Sequence, residues 1–239
     1  MDTPTSNMIA SPAIAKLPEE ILLEILAQAL HFPNGIHSDR WLHLKKARVD
    51  KLLSLPSFAH LVPEALFKYN TLIIKEGRFL SLKTGAMIPS SSCPFVLAYP
   101  DTMTAHWVKS LELQISLFIA SSYTLETVAM VHYSWLKKLA NLERGFDQLE
   151  TLKIVIVQTG RTLFRNENAS HYIHVLPELL RILETRFGAM EFPCKELQLE
   201  VLQHTCGDAC LLTPGPQCHN YQKLKRLLSA TGTTALTIA

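Results

Sequence analysis

The chain has 239 residues, of which 48% are apolar and 18% charged, below the charged share of about 25% usual in soluble domains. Lysine and arginine number 23 against 21 aspartates and glutamates, so the net charge attracts no polyanion by itself, and the chain is too apolar to be disordered. Its 39 leucines can fill a large core, and the low charge leaves apolar surface for a protein partner.

The opening stretch Met1–Pro12 is polar, broken by Pro4 and Pro12, and lacks the basic start and apolar run of a signal peptide. Residues 1–13 are expected to be disordered. The first helix begins at Leu17-Pro18, where a proline in the first turn costs no hydrogen bond. Glu19, Glu20 and Glu24 then place negative charge near the positive end of the helix dipole. Ile21, Leu22, Ile25, Leu26, Ala29 and Leu30 follow at helical spacing as one apolar stripe. The Pro33-Asn34-Gly35 turn ends it. A second helix is predicted over Trp41–Leu55, with Leu42, Leu44, Val49, Leu52 and Leu53 as its apolar positions. Pro56-Ser57 interrupts the pattern and a third helix is predicted over Phe58–Tyr69. Three helices thus make one N-terminal unit, residues 14–70.

Beyond it an apolar-x-x-Leu-x-apolar phrase recurs. It reads Tyr69-x-x-Leu72-x-Ile74, Val108-x-x-Leu111-x-Leu113, Leu149-x-x-Leu152-x-Ile154 and Cys194-x-x-Leu197-x-Leu199. The central leucines lie 39, 41 and 45 residues apart. Helical stretches are predicted between the later phrases, over Leu125–Leu142, His171–Phe187 and Tyr221–Leu228. Strand, helix and strand at a near-constant period predict stacked units whose strands form a short, mostly parallel sheet. The phrase is that of a leucine-rich repeat, although the usual period there is about 20–29 residues. The expected fold class is therefore helix-rich α/β: a three-helix module, then an irregular leucine-rich-repeat-like arc over 71–229. Gly77–Pro94 is expected to be a loop, and the tail 230–239 to fray. The most apolar long window, Leu117–Leu136, is interrupted by polar residues such as Glu126 and His132. It is expected to pack in the protein, not to span a membrane.

Chemical motifs are scarce. No phosphate-cradling glycine loop, nucleophile elbow or His-Glu-x-x-His occurs. His171 and His174 share a helix face, with no carboxylate-rich partner segment nearby. The densest set of soft ligands is His204, Cys206, Cys210, Cys218 and His219, which suits tetrahedral zinc in chemistry but lacks paired C-x2-C knuckles. Free thiols are the expectation there, and the five cysteines (93, 194, 206, 210 and 218) are read as reduced, in the cytoplasm and/or nucleus. Lys45, Lys46, Arg48 and Lys51, and Lys223, Lys225 and Arg226, form short basic clusters best read as solvated helix faces; no nucleic-acid partner is expected. Nothing points to an enzyme or a cofactor.

The segment Leu17-Pro18-Glu19-Glu20-Ile21-Leu22-Leu23-Glu24-Ile25-Leu26 resembles the opening of an F-box, Leu-Pro-x-Glu-Ile/Leu-Leu-x-x-Ile-Leu/Phe, with every position filled. The stretch Leu52-Leu53-Ser54-Leu55-Pro56-Ser57-Phe58-Ala59 through Leu72 looks like the short helices and first strand of fungal F-box-like proteins. The resemblance covers about residues 14–75. It implies docking onto a Skp-type adaptor of a cullin-based (SCF) ubiquitin ligase, with Leu17, Pro18, Ile21, Leu22, Ile25, Leu26, Leu52 and Leu53 as partner-binding residues. The C-terminal repeats would then recruit an unidentified protein substrate, without catalysis by this chain. The alternative is an interaction or scaffold protein that keeps the fold without a ligase link.

Overall fold

The computed structural model describes residues 17–75, 100, 102–116, 125–157, 175–202 and 219–236. In chain order, α1 (Glu19–Ala29) leads to a two-residue strand β1 (Ile36–His37), then α2 (Trp41–Leu44), a wide π-turn over Lys45–Val49, α3 (Asp50–Leu53), α4 (Pro56–Ala59) and α5 (Val62–Lys68). Then come β2 (Thr71–Lys75), α6 (Thr102–Ala105), β3 (Ser110–Ser116), α7 (Leu125–Ala140) and β4 (Thr151–Val157). The last part holds α8 (Val175–Arg186), β5 (Met190–Phe192), β6 (Glu196–Leu202), α9 (His219–Leu227), β7 (Leu228–Ala230) and β8 (Thr233–Leu236).

The protein is mixed α/β. Six strands form one all-parallel sheet in the order β1-β2-β3-β4-β6-β8, so its strands lie side by side in the order in which the chain forms them. The four leucine phrases are this sheet. Their central residues Leu72, Leu111, Leu152 and Leu197 lie directly opposite one another, and Ile74, Leu113, Ile154 and Leu199 make the next row. All eight are buried in the same core. Parallel strands need such a covered face, because their crossover connections lay helices over it. Each leucine contributes roughly 1.5–3 kcal/mol by leaving water. Residues of alternate parity point to the other face, which is largely polar: Glu112, Gln114, Lys153, Gln198 and Glu200.

Over the core face α7 packs beside α8, and α8 beside α9. Tyr133 of α7 stacks on Phe187 at 4.2 Å between ring centroids and donates to the Phe187 carbonyl at 2.7 Å, tying α7 to the end of α8. On leaving α8 and α9 the chain forms β5 and β7, which pair with each other in parallel before the main sheet resumes. Backbone rungs repeat at the strand entrances. The Lys109 carbonyl accepts from the Glu150 and Thr151 N–H groups, and the Glu150 carbonyl accepts from those of Lys195 and Glu196.

The N-terminal helices belong to this same body. β1 pairs with β2, and the core runs without a break from Leu22 to Leu228, across the expected boundary near residue 70. Trp41, fully buried, packs against Phe67 at 6.0 Å. Buried Asn70 organises the junction: Phe32 N–H donates to its Oδ1 at 2.7 Å, and its Nδ2 donates to the Leu30 and Leu66 carbonyls at 2.9 and 2.7 Å. One side chain thereby joins the end of α1, the approach to β1 and the last turn of α5.

Several expectations are corrected. In place of three helices there are five short ones. The third predicted helix is split at His60-Leu61, and Pro63 sits in the first turn of α5, where its missing N–H is harmless. The second is widened by the π-turn, across which Lys45 pairs with Asp50 five residues on. The insert after Pro33 contains β1, and Thr233–Leu236 extends the sheet where a frayed tail was expected. Two glycines admit these edge strands. A Cβ on Gly35, at φ +72°, would lie 2.8 Å from the Thr71 carbonyl oxygen. A Cβ on Gly232 would collide with the Lys195 backbone. Gly77–Pro94 and residues 1–13 lie outside the described residues.

Two stability predictions follow from the core. Asn70→Ala removes three hydrogen bonds, two of them fully buried, and takes a partner from each backbone group, which should cost about 2–4 kcal/mol, read as a lower urea midpoint. A midpoint within error of the parent would deny Asn70 its organising role. His132 of α7 is buried among apolar side chains, and burial pushes its imidazole from 6.5 down to about 4. Between those values the unfolded chain holds a proton that the folded protein does not. Stability should therefore fall as pH drops through this window and level off below it, by about 3 kcal/mol in all. His132→Phe should flatten that segment of the stability–pH curve; an unchanged slope would assign it to other groups.

Candidate functional site

The most prominent exposed apolar surface among the described residues lies on α1. Pro18 caps the helix with extended backbone, and its carbonyl accepts from the Ile21 and Leu22 N–H groups at 3.1 Å. From that start the stripe read in the sequence divides. Leu22 and Leu26 are 8% and 3% exposed and face the core, whereas Leu17, Ile21 and Ile25 are 38%, 44% and 50% exposed. Ile21 and Ile25 are one turn apart on one side of α1, and Leu17 is exposed just ahead of the extended Pro18 that opens the helix. Leu30 completes the buried side, and α1 is held by packing on α5. The Glu19 carboxylate, 3.1 Å from His60 Nε2, adds a surface tie to the end of α4.

The other expected partner-binding residues are placed differently. Pro18 is exposed beside Leu17. Leu52 and Leu53, on α3, are half-buried and packed against the core, so they do not extend the exposed patch as free apolar surface. Leu22 and Leu26 serve to seat the helix.

A second surface on α1 had no prominent sequence signal. Its flank carrying Glu20, Leu23, Glu24 and Ala27 faces Lys68 and Tyr69 at the end of α5 across an open groove of about 780 Å3. The two glutamates read as ordinary helix-start charges. Only the packing of α1 on α5, set by residues distant in sequence, brings Tyr69 opposite them. The one local hint was negative: neither glutamate has a lysine or arginine four residues along the helix.

On the polar face of the sheet the charges satisfy one another. Lys153 of β4 lies 2.7 Å from Glu200 on β6 and 3.6 Å from Glu112 on β3. The hydrogen bond to Glu200 is the main cause that holds the Lys153 ammonium above its ordinary pKa. At the strand entrances Glu150 lies between Lys109 at 3.0 Å and Lys195 at 3.2 Å, which keep its carboxyl below the usual range. These side chains hold neighbouring strands together. His106 is engaged likewise, its Nδ1 2.9 Å from Asp147 and its Nε2 2.9 Å from the Gln148 amide.

Among the described residues no group of three or more histidine, cysteine, aspartate or glutamate side chains could hold a metal ion. His204, Cys206, Cys210 and Cys218 lie outside the described residues, as do His171 and His174, and His219 opens α9. Cys194 is a buried free thiol whose pKa is pushed up to about 11 by burial. The basic clusters are partly engaged within the chain: Lys45 pairs with Asp50, Arg48 lies 5.3 Å from the centre of the Phe32 ring, and Lys223 pairs with Glu184. Among the described residues no helix is long and apolar enough to cross a membrane.

Comparison of the chain with protein-family models, with curated proteins and with solved structures finds no match.

Proposed function

We propose that this chain is a non-catalytic substrate-recognition subunit of a cullin-based ubiquitin ligase, acting in the cytosol or nucleus. In this reading α1 docks a Skp-type adaptor, and the strand–helix units after it hold a target protein. The observation that carries the proposal is the exposed pair Ile21 and Ile25 on a helix entered through the exposed Leu17-Pro18. A patch of large apolar side chains facing water is costly unless a partner covers it. Leu22 and Leu26 fix its orientation, so the patch is presented on a rigid support. The F-box resemblance names the class of partner, and the residues that face outward include the Leu-Pro pair and both isoleucines of its pattern.

Support for a leucine-rich-repeat-like C-terminal region comes from the sheet. Its strands follow one another in chain order, and the leucines of the repeated phrase stack in register. Such an array offers one long lateral surface built from successive units, which suits protein recognition better than small-molecule chemistry. Ubiquitin transfer would be carried out by the other subunits.

Co-expression with a Skp-type adaptor followed by size-exclusion chromatography tests the proposal. The wild-type chain should elute as a stoichiometric complex, and Ile21→Asp/Ile25→Asp should abolish it while leaving the circular dichroism spectrum intact. Both residues are exposed, which makes this control cleaner than Leu22→Asp, a charge placed in the core. A wild-type chain that elutes folded and without the adaptor would favour the scaffold alternative.

A further inference from the structure

The groove on the second flank of α1 has a chemical character of its own. Its floor is apolar, formed by half-buried Leu23 and buried Ala27. One wall carries Glu20 and Glu24, both exposed and one helical turn apart, so their carboxylates sit side by side and repel each other. Among the described residues neither of them forms an ion pair. The opposite wall carries Lys68 and Tyr69. Lys68 is already committed, donating to Glu64 at 2.7 Å, a bond that holds it protonated. Tyr69 is 48% exposed and lines the groove with its ring, the Lys68 ammonium lying 5.5 Å from the ring centre. His31 also lines the groove. Of the lining side chains Glu20 and Glu24 are carboxylates and Lys68 is an ammonium already paired with Glu64 behind it, so the groove is an acidic one.

Two adjacent carboxylates, an apolar floor and an aromatic wall complement one kind of side chain: a cation on a long aliphatic stem. We propose that this groove binds an arginine- or lysine-bearing segment of a partner protein, with the cation on Glu20 and Glu24, the stem over Leu23 and Ala27, and the Tyr69 ring alongside. Arginine suits it best, since its planar fork pairs with carboxylates and stacks on aromatic rings. The burial of the stem adds an apolar component that a simple surface ion pair lacks. This site is separate from the patch of Leu17, Ile21 and Ile25 and does not depend on adaptor binding there. The two surfaces share a helix, so one partner could span both, or two partners could meet across it.

The test uses the full chain and a short fluorescein-labelled peptide carrying arginine at every third position in a Gly-Ser-Ala background. Counterpart peptides have glutamine or glutamate in place of arginine, and binding is read by fluorescence anisotropy at low and high salt. The arginine peptide should bind about tenfold tighter than the glutamine peptide at low salt, and the preference should shrink as salt screens the charges. Glu20→Gln/Glu24→Gln should lower its affinity about tenfold, and Tyr69→Ala about threefold. Ile21→Ser/Ile25→Ser should leave it unchanged. All these positions are exposed, and circular dichroism verifies the fold of each variant. Equal binding of the arginine and glutamine peptides, no binding at all, or full affinity in the double-glutamine variant would overturn the proposal. The adaptor assay run on the Glu20→Gln/Glu24→Gln variant separates the two ideas: loss of the peptide with retention of the adaptor leaves each site standing on its own.

Discussion

The architecture depends on one row of side chains. Leu72, Leu111, Leu152 and Leu197 occupy equivalent positions on four adjacent parallel strands, and α7, α8 and α9 contribute side chains to the same core. Strand side chains alternate between faces, so a shift of one residue anywhere would turn a leucine to the polar side and a glutamate or lysine into the core. The penalty for burying an unpaired charge is far greater than any difference in ladder hydrogen bonding. The register is therefore held from both faces. Leucines hold it from within, and the Lys153 pairs with Glu112 and Glu200, together with the Lys109–Glu150–Lys195 series, hold it from without.

The first helix obeys the same economy with the opposite result. Its inner side needs only Leu22, Leu26 and Leu30 to seat it, yet Ile21 and Ile25 continue the apolar character around to water. Nothing in the described fold requires isoleucine at those places. A helix that spends more apolar surface than its own core uses is the pattern of an interface, and the proposed adaptor docking rests on that excess.

Much of the sheet was legible because its signal was local: four phrases of the same form, each with a leucine that the pleat sends to the core. The helices α7 and α8 were legible for the same reason, their apolar positions keeping to one face. What escaped reading was set by neighbours distant in the chain. β1, Ile36–His37, is too short to show alternation and exists because Gly35 lets the backbone approach Thr71. β8 has the composition of a loose tail, and it becomes a strand because β6 offers an unpaired edge and Gly232 clears the Lys195 backbone. β5 and β7 pair only with each other, 38 residues apart in register. The division of α1 into seated and exposed sides follows from where α5 lies, so the sequence showed one stripe where the protein has two surfaces. The groove was invisible for the same reason, since Tyr69 lines one groove with Glu20 and Glu24 only after α5 has packed.

Because each strand of the main sheet pairs only with the strands of that sheet formed just before and just after it, the sheet is a nearest-neighbour array. Along the shared register row the separations run 36, 39, 41, 45 and 37 residues from Ile36 to Thr234, yet the pairing never slips. Differences in length are thus absorbed between strands, without cost to the row itself. The two ends and the middle of such an array are not equivalent. Removing a terminal strand exposes a new edge and leaves the remaining pairs as they were. Excising an interior one forces two strands that never met to find a common register, with leucines and charges that were matched to someone else. Deletions and insertions should therefore be tolerated according to where they fall in the order of the sheet, more than by how many residues they involve.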